Sequence, residues 1–237
     1  MDQTTMELKE ELHRLGADLV GIGDISILPA EVRKNMTLGI AVAVAIDPNV
    51  IKGIKDGPTM EYLEAYDLLN KKLDYIVSCG AQYIQKLGYE AIAQTVSEVT
   101  KTETEYHTLL PHKTVATRAG IGWIGKNAML VTNEYGSAVR ISAILTNAKL
   151  EVDHPVNVSQ CKDCMCCKES CPGDAIVGEN WNIEAGRDAL FDPVKCKKAA
   201  RHITKERLNV EKTLCGKCVL VCPFTQRYLK NIYRKNK

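Results

Sequence analysis

The chain has 237 residues, of which 45% are hydrophobic and 25% are charged, and its formal net charge is +2. These values are ordinary for a soluble protein with one good-sized domain and a small one, and they give no general argument for nucleic-acid binding. The sequence has no apolar run long enough to span a membrane and no signal-peptide core at residues 1–15, so we expect a cytoplasmic protein.

Helical and strand patterns alternate through the first 150 residues. In chain order, the predicted elements are a helix at 6–15 ending at Gly16, a strand at 19–22, a buried strand at 38–46, a long helix at 58–88, a strand at 91–95, a helix ending at 119, and a strand pair at 128–132 and 138–145 joined by residues 134–136. This alternation predicts a mixed α/β domain.

The composition changes after residues 153–155, where cysteine, lysine and short loops replace the alternating pattern. We therefore predict two domains, one over residues 1–155 and a small one over residues 156–237. The fold class expected for the whole chain is α+β.

Nine of the ten cysteines lie at or after residue 161, and eight of them follow the spacing of bacterial double-cluster ferredoxins. Residues 161–172 read C-x2-C-x2-C-x3-C-P, and residues 215–223 read C-x2-C-x3-C-P. Three closely spaced thiolates can bind three irons of one cubane, so the fourth ligand must come from another segment. The spacing predicts two [4Fe–4S] clusters, one held by Cys161, Cys164, Cys167 and Cys222 and the other by Cys171, Cys196, Cys215 and Cys218.

Two other interpretations of the cysteines fit less well. A disulfide framework needs an oxidising compartment, which nothing in the sequence indicates. Zinc sites usually pair two C-x2-C hooks and do not require the longer run. Cys166 could replace Cys167 by a register slip, although regular spacing favours Cys167, and Cys79 is expected to be a buried thiol. Because exposed clusters oxidise readily, we expect the protein to work under reducing, anaerobic conditions.

Residues 120–125, Gly-Ile-Gly-Trp-Ile-Gly, fit the G-x-G-x-x-G of dinucleotide-binding loops. That loop must follow a strand and open a helix, whereas the segment before residue 120 is predicted to be helical. The acidic residue expected about twenty positions later is also missing from residues 141–149. Two interpretations remain: a tight structural turn with positive φ at its glycines, and a close backbone approach to a flat cofactor, with Lys126 and Asn127 as polar contacts.

Residues 117–127, Thr-Arg-Ala-Gly-Ile-Gly-Trp-Ile-Gly-Lys-Asn, together with the eight cysteines, resemble the epoxyqueuosine reductase family, which is related to the reductive dehalogenases. The resemblance covers most of the chain and includes residues 15–22, the tyrosine-bearing helix at 62–75 and the placing of Cys196 after residues 191–193. It implies a nitroreductase-like α/β domain that binds cobalamin or another corrinoid, followed by a ferredoxin-like domain whose two clusters supply electrons.

The resemblance also implies site residues. It places the cofactor against the glycine loop, through Gly120, Gly122, Trp123, Gly125, Lys126 and Asn127. Family members that reduce epoxyqueuosine carry an acidic proton donor shortly before this loop, where the present chain has residues 105–111. By position Tyr106 or His107 falls nearest to that donor, and Glu105 lies two residues away. His107 is the candidate catalytic residue, because histidine titrates near neutrality, and His112 lies close by. The alternative is that both are ordinary loop histidines.

We therefore expect an iron–sulfur reductase, a cobalamin-dependent enzyme that passes low-potential electrons to a bound corrinoid for a reductive reaction. The lost acidic residue and the end of the chain at Lys237 lead us to expect a substrate other than tRNA, either a small molecule or a modified nucleoside, and they also favour the redox-partner alternative. Two alternatives remain: a redox partner that reduces a corrinoid or a corrinoid protein without a substrate of its own, and a flavin-dependent reductase. The electron donor is expected to be a ferredoxin or flavodoxin.

Overall fold

A computed structural model describes residues 2–96, 98 and 108–235 of the protein, excluding the side chains of residues 232–235. Within these residues the helices are α1 (Gln3–Arg14), α2 (Pro48–Gly53), α3 (Met60–Lys86), α4 (His112–Arg118), α5 (Cys166–Glu169), α6 (Pro193–Leu208), α7 (Lys217–Leu220) and α8 (Pro223–Lys235), with 3-10 turns at Ile54–Asp56 and Arg187–Ala189. The strands are β1 (Leu19–Asp24), β2 (Leu38–Ala45), β3 (Ala91–Gln94), β4 (Trp123–Ile124), β5 (Leu130–Val131) and β6 (Val139–Thr146).

The chain divides into two compact units. The first comprises residues 1–44, 69–122 and 140–157, and the second comprises residues 45–68, 123–139 and 158–237. Two stretches of the predicted N-terminal domain therefore group with the cysteine-rich segment. The assignment of residues 1–155 to a corrinoid-binding domain concerns function and stays a prediction.

The first unit is built on a four-stranded sheet in the order β1-β2-β6-β3. Strands β1 and β2 pair antiparallel, with Leu19 opposite Ala43, and β3 pairs antiparallel with β6, with Ala91 opposite Thr146. The central position of β2 explains its continuous apolar sequence, because both of its faces are covered.

One face of this sheet carries the hydrophobic core. Alternate residues of β2, such as Ile40 and Val42, belong to the same buried cluster as Leu12 of α1 and Ile76 of α3. Gly80 of α3 allows close packing, since a Cβ there would lie 2.7 Å from side-chain atoms of both Ile144 and Leu12. The predicted helices and strands up to residue 95 are thereby confirmed.

The other face of the sheet packs against α4 and the residues that follow it. A Cβ on Gly21 would collide with the carbonyl of Ala119, and one on Gly23 would collide with the backbone of Arg118. The two glycines of β1 therefore let the end of α4 lie directly on the strand. This contact fixes the start of the glycine loop.

In the second unit a small ribbon replaces the predicted strand pair. Strand β5 pairs antiparallel with β4, so that Trp123 lies opposite Val131, whereas β6 belongs to the large sheet. The prediction that residues 128–132 pair with residues 138–145 was wrong. Only a single bridge, between Thr132 and Gly136, forms at the predicted turn. A Cβ on Gly136, whose φ is +59°, would collide with the backbone of Thr225, so this turn packs against α8.

Helix α6 is the longest helix that begins within the cysteine-rich segment. Its N-terminus is capped by the Asp192 carboxylate, which accepts hydrogen bonds from the backbone N–H groups of Val194 (2.9 Å) and Lys195 (3.0 Å). Pro193 stands at the first helical position, and Asn209 ends the helix with a φ of +55°. These signals hold Cys196 in the first turn of the helix.

Among the described residues, no helix combines the length and the apolar character that crossing a bilayer requires.

Candidate functional site

Four of the predicted ligands meet at one cavity of the second unit. Cys161, Cys164, Cys167 and Cys222 line a cavity of about 120 Å³, and the other lining residues are Lys126, Asn127, Val131, Pro223 and Phe224. The first three cysteines come from one loop and α5, whereas Cys222 comes from the junction of α7 and α8. We call them the first cysteine group; its members are those predicted from the spacing.

Tight turns hold this loop in place. Lys162 adopts a left-handed backbone, with a φ of +49°, and the N–H of Cys164 donates to the carbonyl of Cys161 at 3.1 Å. The N–H of Cys161 donates to the hydroxyl of Ser159 at 3.2 Å. The turns aim three thiols inward from a segment of seven residues.

The pKa of Cys167 shows how the group interacts. The pKa of its thiol is raised to about 11, mainly by burial and then by the neighbouring thiols of Cys161, Cys222 and Cys164, which act as charges of the same sign. Burial likewise raises the pKa of Cys222, with Cys161 contributing. Burial thus favours the protonated thiols of Cys167 and Cys222 until a positive charge joins them.

The other four ligands form a second cysteine group: Cys171, Cys196, Cys215 and Cys218. The pKa of the Cys196 thiol is raised to about 11, mainly by burial and then by the neighbouring thiols of Cys171 and Cys215. Burial also raises the pKa of Cys218, where Cys215 and Cys196 contribute next. The groups are neighbours, since Cys167 of the first group also raises the pKa of Cys218.

Cys166 and Cys79 belong to neither group, although the Cys166 thiol hydrogen-bonds with that of Cys164, which raises the pKa of Cys166. Cys166 is exposed and does not line the cavity, whereas the adjacent Cys167 does. Cys79, which the sequence predicted to be buried, is half-buried on α3.

The described residues contain no set of three or more histidine, cysteine or carboxylate side chains that could hold a single metal ion. The cysteine groups differ from such a set because the ligands of a cubane bind separate irons.

Lys126 and Asn127, predicted as cofactor contacts, lie in the wall of the cavity. Lys126 is only 4% exposed, and its Nζ lies 3.5 Å from the Sδ of Met165. The Asn127 amide donates to the Ser137 hydroxyl at 3.3 Å and to the Cys218 carbonyl at 3.4 Å. A buried cation and a buried amide therefore stand beside the first cysteine group.

In a dinucleotide-binding fingerprint, a strand precedes the glycine loop and a helix follows it, whereas the order here is reversed. Helix α4 precedes residues 120–125 and strand β4 lies within them. Gly120 has a φ of +72°, and a Cβ there would collide with the carbonyl of His154. A Cβ on Gly125 would lie 2.7 Å from both the Asn127 Oδ1 and a methyl of Val131. These two glycines make room for protein backbone and side chains. Gly122, also predicted as a cofactor contact, is buried.

Trp123 is fully buried and packs edge-on against Phe224, with 4.8 Å between the ring centroids. Its indole N–H has no hydrogen-bond partner among the described residues. The guanidinium of Arg227 lies over the ring of Phe224, 4.7 Å from its centroid. Phe224 was not among the predicted site residues. Its position directly after the C-P end of the second cysteine run could have identified it.

The predicted catalytic residue, His107, lies outside the described residues. The nearby His112 begins α4, and burial lowers the pKa of its imidazole, although backbone hydrogen bonding involving Gln94 and Ile141 opposes this effect. The Nε2 of His112 has no hydrogen-bond partner among the described residues. His112 is thus a half-buried histidine whose surroundings favour the neutral form of the imidazole.

Comparison with known proteins agrees with this geometry. Residues 160–225 match the family model for the 4Fe-4S double cluster binding domain. An epoxyqueuosine reductase of Synechocystis is 33% identical over 130 residues, which are 50% of this chain and 41% of the relative. The chain thus spans less than half the length of that relative.

Solved structures share the fold. An epoxyqueuosine reductase bound to an epoxyqueuosine-modified tRNA stem loop matches with a TM-score of 0.61 at 20% identity, covering 94% of this chain and 66% of that one. A reductive dehalogenase, whose structure suggests a mechanism for B12-dependent dehalogenation, matches with a TM-score of 0.68 at 18% identity, covering 97% and 33%. The chain therefore resembles the epoxyqueuosine reductases in sequence and fold, and it carries a 4Fe–4S double cluster binding domain in residues 160–225.

Proposed function

We propose that the protein is an iron–sulfur reductase that passes low-potential electrons through two [4Fe–4S] clusters to a corrinoid. The observation that carries this proposal is the gathering of eight cysteines into two neighbouring groups of four. Each group combines thiols from separate segments of the chain, as double-cluster ligation requires.

In this proposal the first cysteine group binds one cluster and the second group binds the other. Burial and mutual repulsion raise the pKa of thiols in both groups, so thiolates need a compensating positive charge there. Iron supplies that charge, and binding then releases the thiol protons. The cysteines present therefore fit two clusters.

Lys126 and Asn127 act on the first cluster in this account. A lysine cation in the cavity wall favours the more negative, reduced form of a cluster. The amide of Asn127 joins that wall to the backbone of Cys218, a ligand of the second cluster. Both residues were expected to contact the corrinoid, and we now assign them to the electron path leading to it.

The corrinoid would supply the reactive metal, while the chain binds it and delivers electrons. The indole N–H of Trp123, in the glycine loop, has no hydrogen-bond partner among the described residues. It could donate to an amide carbonyl, a group that corrin side chains carry. We place the backbone of Gly120, Gly122 and Gly125 beside it, as the resemblance implies. His107 remains our proposed proton donor.

The expectation that tRNA is not a partner finds no support in the comparisons. The Synechocystis relative is named for epoxyqueuosine reduction, and one structural neighbour holds a tRNA stem loop. We therefore propose an epoxyqueuosine-bearing RNA as the first substrate to test, ahead of a small molecule. Reduction of the epoxide would consume two electrons and two protons and release one water.

The test is an anaerobic turnover assay. Reconstituted protein, cobalamin, reduced methyl viologen and an epoxyqueuosine-modified stem loop are incubated, and the nucleosides are analysed by mass spectrometry. We expect queuosine to form only when cobalamin is present, and Cys167→Ala to abolish its formation. If the protein binds both clusters and cobalamin but forms no queuosine, the proposed substrate is wrong. If the protein binds no clusters, the proposed function itself is wrong. A bound flavin in place of cobalamin would favour the flavin-dependent alternative.

A further inference from the structure

An open groove of about 790 Å³ lies beside the second cysteine group. Its lining includes the turn after Cys171 and one side of α6, with Pro172, Asp174, Lys195, Lys198, Ala199 and His202. Pro172 directly follows the ligand Cys171, and Lys195 directly precedes the ligand Cys196. The groove therefore leads to two ligands of one proposed cluster.

The walls of the groove are in close contact at its floor. A Cβ on Gly173 would lie 2.8 Å from the Cβ of Ala199 and 2.9 Å from the carbonyl of Lys195. Both Cys171 and Cys196 remain half-buried rather than fully buried. A molecule seated in the groove would thus contact residues that directly adjoin two proposed ligands of the second cluster.

Helix α6, which forms one side of the groove, is strongly basic. Helix α6 contains six lysine or arginine residues and one glutamate, in a chain whose net charge is only +2. Lys195, Lys198 and His202 are exposed at the groove, and Asp174 is the acidic residue of its lining. The glutamate, Glu206, lies 3.3 Å from His202. Such a concentration of one sign of charge steers partners of the opposite sign.

We propose that this groove docks a small acidic electron-carrier protein, which reduces the second cluster. The inference rests on the proposed function, because it needs that cluster. In the docked complex one electron passes from the carrier to the cluster, so the carrier is oxidised and the cluster is reduced by one electron. No bond forms or breaks. The adjacency of groove and cluster ligands favours a redox protein over RNA, which has no need of a nearby cluster.

Flavodoxin is the probe, because its flavin absorbance can be followed beside the iron–sulfur bands. Binding of oxidised flavodoxin is measured by calorimetry, and reduction of the clusters by flavodoxin hydroquinone is measured by stopped flow, both with reconstituted protein. Lys195→Glu/Lys198→Glu is compared with Lys149→Glu/Lys230→Glu, which makes the same charge change at exposed residues outside the groove. Glutamate at position 195, in the first turn of α6, suits the helix dipole, and position 198 is exposed, so the groove variant should fold.

We expect the groove variant to reduce the association rate about tenfold or more at low salt, with the difference shrinking as salt is added. The control variant should stay within about twofold of wild type, since its charges lie elsewhere. Equal losses in both variants would overturn the groove assignment and leave a net-charge effect. Loss of affinity for an RNA stem loop in the groove variant, with flavodoxin binding unchanged, would overturn the proposal in favour of RNA.

Chemical reduction separates this inference from the proposed function. If dithionite reduces both clusters of every variant while flavodoxin fails to bind wild type, the docking inference is wrong and the proposed function stands. If dithionite finds no clusters to reduce in wild type, the proposed function fails. Redox titration of the groove variant also shows whether a slower reaction comes from a changed potential, which would count against docking.

Discussion

The side-chain amide of Asn127 donates a long hydrogen bond, 3.4 Å, to the backbone carbonyl of Cys218, while the same side chain lines the cavity of the first cysteine group. One residue thus contacts both proposed cluster sites. Its Oδ1 also accepts the N–H of Met129 at 3.1 Å, which holds the turn between β4 and β5. Asn127 is therefore a structural link as well as part of the cavity wall.

Asn127→Ala should destabilise the protein by about 1–3 kcal/mol, because it leaves buried hydrogen-bonding groups without their partner. Anaerobic urea unfolding, followed by circular dichroism, measures the loss. Asn49→Ala, at an exposed position of α2, is the matched control and should change stability by less than about 0.5 kcal/mol. Equal effects from the two substitutions would show that the contacts of Asn127 carry no stability.

Cys167→Ala should remove one cluster, since Cys167 lines the cavity and interacts with three other thiols. Iron and acid-labile sulfide should fall to about half after reconstitution, as expected when one of two cubanes is lost. Cys166→Ala should leave the iron content unchanged, because that thiol is exposed and outside the cavity lining. Halved iron in Cys166→Ala, with full iron in Cys167→Ala, would mean that the register is shifted by one residue.

Lys126→Met should lower the reduction potential of the first cluster, because it removes a buried cation from the cavity wall. A Coulomb interaction of about 1–2 kcal/mol corresponds to a shift of roughly 40–80 mV for one electron. Potentiometric titration with electron paramagnetic resonance detection measures the shift. Lys126→Arg should restore the wild-type potential, and a potential unchanged in Lys126→Met would remove the lysine from the electron path.

The stability of the protein should depend on the protonation of His112. Burial lowers the folded-state pKa of its imidazole below 6.5, so the unfolded chain binds the proton more tightly. The stabilisation is therefore present above about pH 6.5 and is lost as the pH falls toward the folded-state value. Melting temperatures of wild type and His112→Gln between pH 5 and pH 7.5 test this. The wild type should lose more stability on acidification than the variant, and parallel curves would contradict the assignment.

The grouping of the cysteines was predictable from the sequence because ligand spacing follows directly from the geometry of a cubane. The same rule places Cys222 with the first group and Cys171 with the second, although each is distant in sequence from the other members of its group. The strand pair after the glycine loop was not predictable. Residues 134–136 have turn composition, but β5 has a local partner in β4, and β6 is held by the large sheet. Pairing over long sequence separations depends on tertiary packing that local patterns do not contain.

The position of Lys126 shows the same limit within the site. A lysine after a glycine loop suggests an exposed polar contact, yet here it is 4% exposed beside four cysteines. Its burial depends on β4 and β5 folding against the segment that carries Cys222 and Phe224, which lies nearly a hundred residues later. The basic groove, in contrast, could have been anticipated from the charge of residues 193–208 alone.

In the proposed function, two reduced clusters deliver electrons to a corrinoid bound by this chain. Electron paramagnetic resonance of anaerobically reconstituted protein, mixed with cob(II)alamin and then reduced with dithionite, tests it most directly. We expect a base-off cobalt spectrum before reduction and the spectra of two interacting reduced cubanes after it. A cobalt spectrum identical to that of free cob(II)alamin, in protein that carries both clusters, would contradict the corrinoid site and leave an electron carrier.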